Sequence, residues 1–297
     1  MTAISADQKT WTILEIISAT TEYLKDKGID DARLNAELLL AHLLRYRRID
    51  LYANFDRPLS ESERQFYKDL LRRRVAHEPL QYITGETEFM GLRFIVDPRV
   101  LIPRPETEVL VEKTIEACRE FPEGTGRISV LDIGTGCGNI AVSVARFVGN
   151  AYITAIDNSA EGLEVARQNV QNHNIASRVT LERLDVLHNS VHPVGEPFDL
   201  VVSNPPYISQ QEFKSLPPEI REYEPLDATC DSSDGLTFYR RISEIGKQLL
   251  KGGGLLILEV GFGQSRQVQA ILRKNAYVQI QVHEDYSGVE RVVKAKT

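Results

Sequence analysis

The feature that most restricts what this chain can fold into is a glycine-rich turn, Asp132-Ile133-Gly134-Thr135-Gly136-Cys137-Gly138. It stands where an apolar run ends and a helical pattern begins. Glycines at such a turn allow backbone conformations closed to other residues and let a ligand approach the main chain. Around and beyond it, short apolar runs alternate with helical patterns. Strands are expected at 129–133, 151–156, 179–184, 198–203 and 254–260, with helices at 141–147 and 159–173. That alternation predicts an α/β domain built on a mostly parallel, doubly wound, Rossmann-like sheet. Ligands of such sheets bind where the carboxyl ends of adjacent strands meet.

The N-terminal part reads differently. Trp11, Leu14, Ile17 and Leu24 recur at helical spacing, and Asp31 precedes a second amphipathic segment with Leu34, Leu38, Leu39, Leu43 and Leu44. Ser60 with Glu63 forms a capping-box pattern for a third helix running toward Arg74. With 297 residues the chain is long enough for two domains. The expected division is a small helical domain at 1–78, a β-hairpin linker at 79–105 and the α/β domain at 106–297. The linker is read from Tyr82, Ile83, Phe89, Phe94, Ile95 and Val96, broken by Gly85, Gly91 and Pro98. Pro105 is expected in the first turn of the helix that follows.

The formal net charge is −7. Nucleic-acid binding wants a basic surface, so free DNA or RNA is disfavoured as substrate. The basic clusters Arg45-Arg47-Arg48 and Arg72-Arg73-Arg74 read as solvated helix faces, or as contacts for a partner such as the ribosome or a nucleic acid. Cys118, Cys137 and Cys230 fit neither a disulfide framework nor a zinc ribbon, and the six histidines are scattered, so free thiols and no metal site are expected. No apolar run reaches the roughly 18 residues of a membrane span, and the first ten residues show no signal or transit pattern. A cytoplasmic protein without a membrane partner is the expectation.

Three strand ends suggest one ligand. The glycine turn, Gly134 to Gly138 with Thr135 and Cys137 between the glycines, follows the first strand of the alternating region. Asp157 ends the second, 23 residues after Gly134, where an acid can bind a ribose diol. Asp185-Val186 ends the third, offering an acceptor to an adenine amino group and an apolar side chain to its ring. The turn lacks the Gly-Lys-Ser/Thr ending of a phosphate loop, since Asn139 and Ile140 follow Gly138. A ligand without phosphates fits better, and S-adenosylmethionine has none.

The fourth strand delivers Asn204-Pro205-Pro206-Tyr207. The prolines fix the backbone and remove two amide donors, leaving nearby carbonyls free to accept. With the Asn204 oxygen they can grip both hydrogens of a planar NH2 group, while Tyr207 offers it a flat face. Asn204, Pro205 and Tyr207 are thus the candidate catalytic residues, with Pro206 completing the substrate-binding set.

At this point the chain resembles the release factor glutamine methyltransferases, called HemK or PrmC, over nearly its whole length. Besides the glycine turn and the tetrapeptide, the resemblance rests on Pro79-Leu80-Gln81-Tyr82-Ile83 with Gly85, on Ile102-Pro103-Arg104-Pro105-Glu106-Thr107-Glu108, and on Glu224-Pro225 before Asp234-Gly235-Leu236. It implies a class I S-adenosylmethionine-dependent methyltransferase domain joined to a helical domain that docks the protein substrate. It implies methylation of the glutamine in the Gly-Gly-Gln motif of class I peptide-chain release factors; a monomer with no requirement for nucleic acid is the accompanying expectation. Carried over by position, Gly134 to Gly138, Asp157, Val186 and Asn204 contact the cofactor, and Asn204 to Tyr207 hold the glutamine. Val186 stands where that family frequently has an aromatic residue.

Two other readings share these motifs. A nucleic-acid amino-methyltransferase would use the same tetrapeptide on a flipped base, and a binding module would keep the fold without catalysis. The acidic charge and the Pro-Arg-Pro-Glu-Thr-Glu run argue against the first. The intact Gly134, Asp157 and Asn204 argue against the second.

Overall fold

A computed structural model of the chain describes residues 10–122, 126–188 and 197–297. Two compact units divide at Gly85.

The first unit is helical: α1 (Ile13–Asp26), α2 (Ala32–Leu44), α3 (Arg48–Ala53), α4 (Glu61–Val75) and α5 (Leu80–Thr84). Capping boxes open α1 at Thr12 and α4 at Ser60, each satisfying two otherwise orphaned amides. Asp31 precedes α2 but makes no side-chain cap and has a positive φ of 48°. The buried stripe also differs in phase from the leucine pattern. Ile13, Ile17 and Leu24 line the core of this unit with Ala36, Leu39 and Leu40, whereas Leu14 and Leu34 are exposed. Small residues on α2 allow close helix packing, so the leucines overstated which face is inside.

The basic clusters are mostly paired. Arg47 meets Asp50, Arg48 meets Glu37, Arg72 meets Asp69 and Arg73 meets Glu78. Arg74 is no solvated residue: it is buried, and its Nε donates to Asn35 Oδ1 at 2.7 Å. Residues 80–84, read from sequence as the start of a hairpin, are helical. Ile83 joins the core of the first unit and Gly85, at φ 78°, ends the helix.

The second unit begins with the hairpin β1 (Glu86–Phe89) and β2 (Leu92–Ile95). Helix α6 (Thr107–Arg119) follows, starting two residues after Pro105, so that proline lies before the helix and not in its first turn. Next come β3 (Ile128–Ile133), α7 (Asn139–Phe147), β4 (Ala151–Asp157), α8 (Ala160–Asn172), β5 (Val179–Arg183) and β6 (Phe198–Ser203). Three short helices, α9 (Gln210–Phe213), α10 (Pro218–Tyr223) and α11 (Leu226–Thr229), precede α12 (Thr237–Leu249). The chain ends with β7 (Leu250–Glu259), α13 (Ser265–Lys274), β8 (Val278–Glu284) and β9 (Glu290–Lys296).

Seven strands form one sheet in the order β5-β4-β3-β6-β7-β9-β8. Pairings from β5 through β7 are parallel, and β9 runs antiparallel to both its neighbours. The central parallel strands β3 and β6 are largely apolar because both faces are covered. Val130, Leu200, Val202 and Ile257 share one core with residues of α6 and α7. Leu131, Val201, Leu256 and Leu258 share the other with residues of α12 and α13. The strand order reverses direction between β3 and β6, which makes their carboxyl ends the switch-point crevice.

One buried polar side chain ties the hairpin to this framework. Asn169 of α8, fully enclosed, accepts from Ile95 N at 2.7 Å and donates to Ile95 O at 3.0 Å and Cys137 O at 2.9 Å. Asn169→Ala leaves buried main-chain groups unpaired, at roughly 1–3 kcal/mol for an unsatisfied group. Urea denaturation should show a loss of about 2–4 kcal/mol; a loss below about 0.5 kcal/mol would mean that water replaces the amide at little cost.

Candidate active site

Register places the site. Ile156, Ile133, Ser203 and Leu258 lie in one row across β4, β3, β6 and β7. The next residue on each strand is Asp157, Gly134, Asn204 or Glu259. Four strand ends therefore present their chemistry at one level along the sheet edge.

Gly134, Gly136 and Gly138 have positive φ values of 75°, 53° and 83°. A Cβ at Gly134 or Gly136 would meet nothing within 4 Å, so the turn presents an open face there. At Gly138 a Cβ would sit 3.3 Å from that of Ala166, so this glycine also lets α7 pack beside α8. Asp157 braces the turn: its Oδ2 accepts from Gly136 N at 2.8 Å and its Oδ1 from Ser159 N at 2.9 Å. A carboxylate has about four lone-pair directions, so both oxygens keep capacity for a ligand. Burial pushes the Asp157 pKa up, and these backbone bonds pull against that.

Beneath the turn lies Asp132, fully enclosed. Its Oδ2 accepts from the Thr135 hydroxyl at 2.7 Å, and its Oδ1 has no hydrogen-bond partner among the described residues. Burial pushes its pKa up to about 7. Sequence reasoning gave Asp132 no role, because an acid at a strand's penultimate position reads as part of the turn. Cys137 is buried, and burial pushes its thiol up to about 12, so it serves as a small apolar filler in the turn.

The third strand end is less open. Asp185 turns onto its own loop, accepting from Leu187 N at 2.9 Å and pairing with His188 Nδ1 at 2.9 Å. Burial acts to raise its pKa, but the bonds from His188 and Leu187 outweigh it and the pKa is lowered. Val186 is buried in the core beside Leu131, Ile133 and Ile156. His188 and His192 stand at H-x-x-x-H spacing, but His192 lies outside the described residues. Among the described residues no group of three or more potential ligands could hold a metal ion.

The Asn204–Tyr207 segment is held from several sides. Ser203 Oγ donates to Ile133 O at 2.7 Å, locking β6 to β3 just before Asn204. Asn204 Nδ2 donates to Thr107 Oγ1 at 3.1 Å. Tyr207 is clamped: Gln264 Nε2 donates to its carbonyl at 2.9 Å, and a Cβ at Gly235 would lie 2.6 Å from that same oxygen. A Cβ at Gly261 would lie 2.9 Å from the Tyr207 ring. The Tyr207 hydroxyl reaches Glu259 Oε1 at 3.5 Å. One Arg104 nitrogen meets both oxygens of the buried Glu224, at 2.6 and 2.8 Å, and so ties the Pro-Arg-Pro-Glu run to the loop after the tetrapeptide. Motif reading had found Arg104, Thr107, Glu224 and Gly235 only as marks of resemblance, and had passed over Glu259 and Gln264.

Comparison with known proteins matches residues 15–85 to the PrmC N-terminal domain family and residues 108–217 to the methyltransferase small domain family. A release factor glutamine methyltransferase of Geobacter sulfurreducens is 42% identical over 284 residues, covering 95% of this chain and 96% of its own. One from Chlorobaculum tepidum is 39% identical, covering 96% and 97%. The chain belongs to the release factor glutamine methyltransferase family. A solved methyltransferase from Pyrococcus furiosus, 20% identical with a TM-score of 0.50, covers 79% of this chain and 98% of its own and shares the fold. The family is one of S-adenosylmethionine-dependent methyltransferases, and that is the cofactor of this enzyme. No described helix is long and apolar enough to cross a membrane.

The site of this family member carries two fully buried carboxyls with raised pKa values, Asp132 and Glu259. Burial pushes each to about 7, from ordinary values of 3.8 and 4.5. A folded pKa above the unfolded one means that each group favours folding most below its unfolded pKa. That contribution is lost as pH rises through about 7. Glu259→Gln removes one such charge. Its stability relative to wild type should be more favourable by about 2–3 kcal/mol at pH 8 than at pH 5, on the order of the pKa displacement. Denaturation at both pH values reads this directly, and a pH-independent difference would show that Glu259 ionises at its ordinary pKa in the folded protein.

Proposed function

We propose that this enzyme methylates the side-chain amide nitrogen of the glutamine in the Gly-Gly-Gln motif of class I peptide-chain release factors. The observation that carries this reading is Asn204-Pro205-Pro206-Tyr207, fixed at the end of β6 one strand away from an open glycine turn. The bound cofactor supplies an electrophilic methyl group on a sulfonium. Gly134 to Gly138 form the floor on which it lies, with Thr135 and Cys137 shaping the turn. Asp157 takes the ribose hydroxyls with its remaining lone pairs. Val186 meets the adenine ring, and Asp185 accepts from its amino group if it releases His188. The open face above Gly134 and Gly136 suits such a ligand.

Asn204, Pro205 and Tyr207 do the catalytic work in this reading, with Pro206 stiffening the loop. An amide nitrogen is a poor nucleophile because its lone pair is delocalised into the carbonyl. Asn204 Oδ1 and a carbonyl beside the prolines accept the two N–H bonds and aim the nitrogen. Alignment of this type contributes up to about 7–11 kcal/mol in favourable cases. Neutral Asn204 is no base, so the proton leaves after methyl transfer, when the nitrogen has become acidic. The helical unit before Gly85 docks the release factor, the enzyme acts as a monomer in the cytoplasm, and neither nucleic acid nor membrane takes part.

Labelled cofactor with purified release factor, tRNA or DNA distinguishes this from the nucleic-acid reading. The mass of the Gly-Gly-Gln peptide should rise by one methyl group, and label on nucleic acid instead would reject the proposal. Asp157→Ala removes the ribose acceptor and the brace on Gly136. Cofactor affinity should fall about 10- to 100-fold; unchanged affinity in a calorimetric titration would remove Asp157 from the site. Asn204→Ala should leave cofactor affinity within a few-fold and lower the single-turnover rate by at least about 100-fold. A rate near wild type would show that Asn204 does not orient the nitrogen.

A further inference from the structure

Glu259 ends β7 after the apolar run Leu255-Leu256-Ile257-Leu258 and is 1% exposed. Its hydrogen bonding is incomplete. Oε2 has no formed hydrogen bond among the described residues, and the Tyr207 hydroxyl reaches Oε1 only at the outer limit of 3.5 Å. Glu259 and Asn204 follow the paired residues Leu258 and Ser203 on adjacent strands, and the Thr107 hydroxyl, bonded to Asn204, acts to favour the charged form of Glu259. An acid in such a place costs stability that an apolar residue of similar size would not. Its presence calls for a role other than holding the fold.

Thr107 supplies the link. It is 1% exposed at the start of α6, and its oxygen accepts from Asn204 Nδ2 at 3.1 Å. A hydroxyl has one proton to give, and a carboxylate can only accept. An ionised Glu259 therefore draws the Thr107 proton toward itself. That leaves the Thr107 oxygen as an acceptor, turns the Asn204 nitrogen inward and leaves Oδ1 facing the substrate. With the polarity reversed, Asn204 would offer a donor to an amide that also donates.

We propose that Glu259 is a positioning residue for methyl transfer: through Thr107 it fixes which end of the Asn204 amide faces the substrate, and through the Tyr207 hydroxyl it holds the ring beside it. This rests on the reading of residues 204–207 as the glutamine site. Protonated Glu259 is itself a donor and no longer enforces the direction. Tyr207, Arg291 and Glu106 face the carboxyl along with Thr107, and Tyr239 donates to the Glu259 main-chain oxygen at 3.0 Å. Of these groups Glu259 is the one displaced to about 7.

The test compares full-length wild type with Glu259→Gln, Thr107→Val, Thr107→Ser and the Gln–Val double variant, using S-adenosylmethionine and a purified class I release factor. Single-turnover rates are measured from pH 6 to 9, with cofactor affinity by calorimetry and thermal melting alongside. Wild type should gain rate through an acid limb near pH 7, and Glu259→Gln should lack that limb. At pH 8, Glu259→Gln and Thr107→Val should be slower by about tenfold or more, with cofactor affinity within about threefold. Thr107→Ser should recover most of the rate, and the double variant should be no slower than the slower single one, as two parts of one chain require. If Glu259→Gln does not fold, the Val–Ser pair at Thr107 decides alone. Wild-type rates in both Glu259→Gln and Thr107→Val overturn the proposal and leave the glutamine reading standing. So does a Thr107→Ser no faster than Thr107→Val, or a rate loss matched by equal losses in cofactor affinity and melting temperature. A wild type that leaves the release factor unmethylated overturns both.

Discussion

The parallel register of β4, β3, β6 and β7 is the constraint on which everything else in the second unit depends. Parallel strands bind one another through evenly spaced, slanted hydrogen bonds. A slip of one residue would turn every buried side chain to the other face. Because both faces carry cores, such a slip is forbidden twice over. The row Ile156, Ile133, Ser203, Leu258 is therefore fixed, and with it the positions of Asp157, Gly134, Asn204 and Glu259. Ser203 adds a local lock through its bond to Ile133 O, one residue before the asparagine that has to be placed most accurately.

Rigidity continues outward from that row through side chains rather than further strands. Asn169 holds the Cys137 carbonyl, Asp157 holds the Gly136 amide, and Gln264 holds the Tyr207 carbonyl. The glycine turn and the Asn204–Tyr207 segment are loops, and loops have few main-chain partners of their own. A side-chain amide or carboxylate from a neighbouring element replaces what a ladder would have supplied. Close approach by Gly235 and Gly261 does the same by exclusion, since any side chain at either would displace Tyr207.

How much of this was legible in the sequence follows from which forces leave a local trace. The five parallel strands and the helices at 141–147 and 159–173 were readable because apolar periodicity is local. The antiparallel pair β8 and β9 was not: Val278 to Glu284 is largely exposed and mixed in polarity, so its apolar periodicity is weak even though the turn Asp285-Tyr286-Ser287-Gly288 follows it. In the first unit the leucines suggested one face for α2 while Ala32, Ala36 and Ala41 define another. Helix packing selects small residues for proximity, and hydrophobicity alone does not show it. Gly134, Asp157 and Asn204 were legible because strand ends in such sheets meet by rule. Thr107, Glu224 and Gln264 were not assigned roles, because their partners lie 97, 120 and 57 residues away.

Glu259 differs from both groups. Its position at a strand end obeys the same rule that identified Asp157, yet it sits in an apolar run whose ordinary reading is a buried strand continuing into a turn. Asp157 and Glu259 then diverge by environment. Asp157 receives two backbone amides and remains half-buried at the open face. Glu259 is enclosed and lacks such amides among the described residues; hydroxyls of Thr107 and Tyr207 lie nearest it, with the charges of Arg291 and Glu106 beyond. Backbone amides donate in a fixed direction, so they stabilise a charge and hold it still. Hydroxyls can rotate, so a carboxylate among them sets their direction rather than being set by them. The same residue class at the same level of one sheet thus suits a ligand contact at β4 and the orientation of neighbouring side chains at β7.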